Sequence, residues 1–167
     1  MITISMLTGC SKPDDLDTVA TVDINRYMCK CYEIARLPNS FEEGLTCITA
    51  EYSISPEGHI TVVNRGYDAD GDGSWKNVSG KAWVPDSLAP GKLKVQFFWP
   101  FAGDYYIMHL DPGYQYALVG DPSRKFLWIL SRTESLPEET IKELLEIANS
   151  NNFETQDVIT VDHNCSM

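Results

Sequence analysis

Cysteines carry most of the reactive chemistry this chain of 167 residues can offer. There are five, Cys10, Cys29, Cys31, Cys47 and Cys165, and an odd count leaves at least one unpaired or modified if the others bridge. Cys10, near the start, is the natural odd member, and the remaining four allow three pairings. Cys29 and Cys31 are two residues apart, so on a strand they would point the same way with Cα atoms roughly 6.5 to 7 Å apart, a poor disulfide. That favours Cys47 with Cys165 and leaves Cys29 and Cys31 as thiols. Such a pair could bind a soft metal or act as a nucleophile if exposed and acidic, which would make the protein a thiol-dependent enzyme or a peroxide-reactive antioxidant. No cysteine-rich or histidine-rich stretch lies nearby, and His59, His109 and His163 are scattered. Two buried, inert thiols and no metal site are therefore expected.

A second candidate is Asp68-Ala69-Asp70-Gly71-Asp72-Gly73, which fits the first half of a calcium loop, with alternating carboxylates and a glycine at the sixth position. The twelfth position is Ser79 rather than Glu and no helices flank the segment, so it reads as an acidic hairpin turn. No Gly-x-Ser-x-Gly, His-Glu-x-x-His, phosphate loop or dinucleotide fingerprint occurs. The sequence thus predicts neither an enzyme nor a cofactor.

Elements must position whatever these side chains do. With 43% hydrophobic and 22% charged residues the chain should form one compact domain. The net charge of -11 repels phosphate backbones and anionic membrane faces, which argues against nucleic acid as a partner. No apolar run is long enough for a transmembrane helix. Short β-rich segments at 28–36, 45–54, 59–67, 76–84, 92–98, 104–110, 115–119 and 126–131 alternate with turn residues such as Pro56-Glu57-Gly58, Pro90-Gly91 and Asp111-Pro112-Gly113. The period then changes to 3.6 at Ile141, Leu144, Leu145 and Ala148, predicting an amphipathic helix over 137–150 with Ser135 as N-cap, Pro137 in the first turn and Glu138 completing a capping box. A last β-like piece covers 158–161. The fold class is all-β: an eight-stranded antiparallel up-and-down barrel with one C-terminal helix packed outside. At this strand number the interior either fills with side chains or holds one small ligand.

The segment Met28-Cys29-Lys30-Cys31-Tyr32-Glu33-Ile34-Ala35-Arg36-Leu37-Pro38-Asn39, followed by Phe41-Glu42 and Gly44, resembles the opening strand of the lipocalin family, in its bacterial lipocalin and apolipoprotein D branch. Ala50-Glu51-Tyr52-Ser53, Gly80-Lys81-Ala82, Leu93 to Phe98, Tyr116 to Val119 and Leu127 to Thr133 support it in the right order, over residues 23–165. The resemblance implies a barrel open at one end that binds small hydrophobic molecules such as fatty acids or lysophospholipids. In the family, a Gly-x-Trp motif places an indole at the closed end beneath an arginine of the last strand. Here Arg132 is present, while Cys29 and Cys31 occupy the glycine and tryptophan positions, so the barrel floor of Cys29, Cys31 and Arg132 lacks its cation-π pair and should be weakened. Cys47 and Cys165 fall where apolipoprotein D-like members tie the second strand to the C-terminal tail. Phasing from Arg132 turns Trp128 and Leu130 into the barrel, and phasing from Cys31 does the same for Glu33 and Ala35; these four are the expected ligand lining. An ionised Glu33 in an apolar cavity would need a partner or a wet mouth.

Leu7-Thr8-Gly9-Cys10, followed by a polar stretch over 11–17, resembles a bacterial lipobox with Cys10 as the lipidated residue and Ser11 as an outer-membrane sorting signal. Residues 1–9 then read as a truncated-looking lipoprotein signal, 10–22 as a linker and 23–165 as the lipocalin domain. The expectation is a protein anchored by lipid (palmitate and diacylglycerol) to the periplasmic side of the bacterial outer membrane, carrying a small hydrophobic ligand, with a homodimer allowed. The competing expectations are the thiol enzyme and a structural envelope lipoprotein with no ligand.

Overall fold

The computed structural model describes residues 16–165. Eight antiparallel strands follow one another: Lys30–Arg36 (β1), Leu45–Ile54 (β2), Ile60–Asp68 (β3), Trp75–Trp83 (β4), Lys92–Phe98 (β5), Phe101–Leu110 (β6), Tyr116–Gly120 (β7) and Leu127–Ser131 (β8). Each pairs with the next, and β1 pairs with both β2 and β8, so the sheet closes into a barrel. Aspartates at the hairpin corners hold their own turns, as short carboxylate side chains do. Asp68 accepts from the Gly71 amide at 2.9 Å, Asp111 from the Gln115 amide at 3.0 Å and Asp121 from the Phe126 amide at 2.9 Å.

Strand alternation creates two cores. Inward residues such as Tyr52, Ile60, Val62, Leu93 and Leu130 meet inside the barrel. Outward residues Leu118, Leu127 and Ile129 pack with Leu144 and Ala148 of the helix Glu138–Ser150 (α2) and with Phe153. The helix start differs from the sequence reading. Pro137, with φ -56° and ψ 140°, is the N-cap residue and no side chain caps it, while its carbonyl accepts from the Ile141 amide. The Ser135 carbonyl is engaged instead by the Thr133 hydroxyl at 2.8 Å. Residues 16–22, read as linker, lie against the barrel: Leu16 is fully buried and the Val19 amide donates to the Ile107 carbonyl. A short helix, Ile24–Tyr27 (α1), follows, and a two-residue strand, Ile159–Thr160 (β9), pairs with the end of β1.

Two corrections concern β1. Its pairing with β8 runs Glu33 with Leu130 and then Ala35 with Ile129, so Ile34 is an extra residue. A bulge of this kind reverses the inward and outward phase beyond it. Glu33 faces inward, Ile34 and Ala35 both join the outer core, and Arg36 takes the inward position that alternation assigned to Ala35. Ala35 therefore does not line the interior. The second correction is that Cys29 and Cys31 are not free thiols but are joined to each other. Cys29 immediately precedes β1 rather than lying on it, which brings the two Cα atoms to 5.6 Å, inside the disulfide range that two strand positions would exceed.

Cys47 is bonded to Cys165 with Cα atoms 6.2 Å apart, stapling the C-terminal tail to β2. The tail occupies backbone groups that the β1 bulge and an irregularity in β2 release. Val161 N donates to the Ile34 carbonyl, Cys47 N to the Asp162 carbonyl, and His163 Nε2 lies 2.8 Å from the Glu33 carbonyl oxygen. Cys10 lies outside the described residues.

Candidate functional site: the barrel cavity

The barrel is not filled. A cavity of about 780 Å³ opens at the end formed by the β1–β2, β3–β4, β5–β6 and β7–β8 connections, within the size range of small-molecule sites. Small inward residues, Ala50, Gly66, Ala82 and Gly103, leave this room, while Ile48, Val62, Leu93 and Phe97 make its walls apolar. Of the expected lining, Glu33, Trp128 and Leu130 face the cavity and Ala35 does not. The mouth carries the exposed aromatics Phe41, Phe98 and Phe101, and the neighbouring Trp99 is 85% exposed.

The closed end is built differently from the sequence expectation. Arg132 reaches across it and donates to the carbonyls of Tyr114, Arg26 and Met28 at 2.6, 2.6 and 3.3 Å, which fastens α1 over the floor. A buried aromatic is present after all, and it is Tyr27 at the end of α1. Its hydroxyl lies 2.7 Å from that of Tyr105, which in turn lies 3.1 Å from that of Tyr52. Burial raises the pKa of all three phenols, that of Tyr52 to about 12, so the trio stays protonated as a neutral hydrogen-bonded floor. Cys31 belongs to the same interior cluster as Tyr27, and Cys29 packs against that cluster.

Towards the mouth lies a charged group. Arg36, inward because of the bulge, donates to Glu33 Oε1 at 3.1 Å and to the Glu42 carbonyl at 2.8 Å. Its Nε is 3.8 Å from Glu42 Oε2, beyond hydrogen-bond reach. Glu42, on the β1–β2 connection, also accepts from Trp128 Nε1 at 3.1 Å and from Asn39 Nδ2. Burial first, and then the charge of Glu42, push Glu33 well above the usual carboxylate range, against the pull of Arg36. Two carboxyls thus share one guanidinium. Trp128 is held flat against Phe126, with ring centroids 5.9 Å apart and planes 7° apart, and links the mouth's aromatic wall to this group.

Sequence reading missed Arg36, Glu42, Asn64 and the three tyrosines as site residues. A usable signal existed for the first two: Glu33, Arg36 and Glu42 fall within ten residues around an apolar strand, where charges that close together must be buried in a mutual network. At the Asp68 turn, the Lys76 ammonium sits 2.7 Å from Asp72 and 3.8 Å from Asp68. Among the described residues no group of three or more His, Cys, Asp or Glu side chains is placed to hold a metal ion.

The family described as the lipocalin-like domain matches residues 22–163. The chain belongs to the lipocalin family. This lipocalin is 40% identical over 158 residues to outer membrane lipoprotein Blc of Vibrio cholerae serotype O1, covering 93% of this chain and 92% of that one. It is also 40% identical to Blc of Escherichia coli K12, with 93% and 89% covered, and 37% identical to apolipoprotein D of Bos taurus, with 86% and 78% covered. Among solved structures, insecticyanin of the tobacco hornworm Manduca sexta shares the fold at a TM-score of 0.71 and 23% identity, covering 89% of this chain and 84% of that one.

Proposed function

We propose that this lipocalin binds and carries a small hydrophobic or amphiphilic molecule of the cell envelope, a lysophospholipid or fatty acid, without catalysing a reaction on it. The observation that carries this reading is the open, mainly apolar cavity of about 780 Å³. Each methylene moved from water into such walls contributes roughly 0.8 kcal/mol, so a long acyl chain is held with few polar contacts. The relatives named outer membrane lipoproteins support an outer-membrane location. With the Leu7-to-Cys10 motif they support anchoring through lipid on Cys10, facing the periplasm. The thiol-enzyme alternative loses support because Cys29 and Cys31 are bonded to each other and neither offers a thiolate.

The test is to extract protein purified from its host with organic solvent and weigh what is released. A stoichiometric amphiphile is expected; an empty extract together with no uptake of added lipid would leave a structural lipoprotein. For the anchor, Cys10→Ala in a host supplying a complete signal should move the protein out of the membrane fraction, since no helix of the described residues is long and apolar enough to span a membrane. Unchanged retention would contradict lipidation.

A further inference from the structure

The polar groups on the cavity wall are unbalanced, and the imbalance bears on which amphiphile fits. This inference rests on the cavity being a ligand site. Glu33 and Glu42 both line the cavity, whereas Arg36, the guanidinium they share, lies behind them and off its surface. Two of the three Arg36 nitrogens are committed, to Glu33 Oε1 and to the Glu42 backbone carbonyl, and the third, Nε, is an unpaired donor but belongs to a side chain off the cavity wall, so Arg36 cannot turn toward an incoming anion without releasing the loop it holds. Deeper in, on β3, the side-chain oxygen of Asn64 is buried against the cavity with no donor. A buried acceptor left unpaired carries the full cost of its lost hydration, which a donor on the ligand would recover.

The cations at the mouth do not reverse this. Lys76 is held between Asp72 and Asp68, and the Arg65 guanidinium lies over the Trp75 ring, 4.2 Å from its centroid. Asp121, another lining carboxylate, has its acceptors filled by its own turn. The wall therefore presents acceptors short of donors, inside a molecule whose net charge is already -11.

We propose that the cavity selects an amphiphile whose polar end carries hydrogen-bond donors, a primary ammonium above all, and discriminates against a free fatty-acid carboxylate. An ammonium beside Glu33 favours the ionised form that burial otherwise disfavours, so that two carboxylates, Glu33 and Glu42, face two cations, Arg36 and the ligand head. A hydroxyl head donates without adding charge and ranks between the two. A carboxylate head would meet two carboxyls in a medium where charges interact more strongly than in water.

Displacement of a neutral naphthylamine fluorophore from the cavity by dodecylamine, dodecanol and laurate near neutral pH tests this. All three have twelve carbons, and the one methylene by which the alkyl part of laurate is shorter accounts for only about fourfold, less than the difference expected. Wild type should bind dodecylamine at least about tenfold more tightly than laurate, with dodecanol between them. Glu33→Gln should erase most of the amine's advantage over dodecanol, whereas attraction of the amine to the acidic surface would survive the loss of one buried carboxyl. Equal or tighter binding of laurate to wild type overturns the proposal whether or not the variant folds, as does an unchanged ranking in folded Glu33→Gln. If neither the fluorophore nor any of the three binds, the ligand-site reading itself fails.

Discussion

Trp128 and Leu127 are adjacent and differ in face, which separates ligand contact from stability at single-residue scale. Trp128 lines the cavity and donates to Glu42, while Leu127 is 1% exposed in the outer core. Trp128→Ala should weaken amphiphile binding about tenfold or more by removing apolar contact area. Leu127→Ala should leave affinity nearly unchanged but lower unfolding free energy by about 2 to 5 kcal/mol. Urea melts and titrations on the same two proteins check both halves. Glu33 gives a pH prediction. Its folded pKa is raised above the ordinary 4.5 by burial first, so the native state keeps a proton that the unfolded chain releases. Stability is then fully present below about pH 4.5 and falls as pH rises toward the folded value. Glu33→Gln should flatten that fall; parallel pH profiles for the two proteins would contradict it.

At the scale of elements, the tail shows what a staple does. The Cys47–Cys165 bond spans a sequence separation of 118, and the chain-entropy model gives about 4 to 5 kcal/mol for closing a loop of that order. Cys165→Ser should lower stability by up to that amount, read by urea melts, and should expose the tail to protease while the barrel stays folded. The strands and α2 were legible in sequence because turn residues and two clean periodicities mark them. What lay outside reach was the departure from periodicity. Nothing in Glu33-Ile34-Ala35-Arg36 announces an extra residue, because the bulge is a property of pairing with β8 and not of β1 alone. That single residue moved Ala35 to the outer core and turned Arg36 inward, behind Glu33 and Glu42. The Cys29 bond escaped for the same reason, since spacing rules assume a strand and Cys29 precedes one.

For the whole molecule, the family and the barrel could be read from ordered segments along the chain, but whether the interior was full could not. Volume inside a barrel depends on which small residues face inward at successive levels, here Ala50, Gly66 and Ala82 on β2, β3 and β4, and that is settled by pairing across strands. The floor was misjudged in the same way, because Tyr27 reaches it from α1 and not from the position the family motif would assign. The proposed role rests on one property of the molecule, that this interior holds an amphiphile.

Calorimetric titration of a lysophospholipid, kept below its micelle concentration, into wild type and into Ala82→Phe addresses that property most directly. Ala82 is 4% exposed, faces the cavity and makes no polar contact that its loss would disturb. The expected result is one saturable site per chain at micromolar affinity or tighter in wild type, weakened at least about tenfold when the phenyl ring occupies the space. Saturable binding that Ala82→Phe leaves untouched, or no binding to wild type, would contradict it.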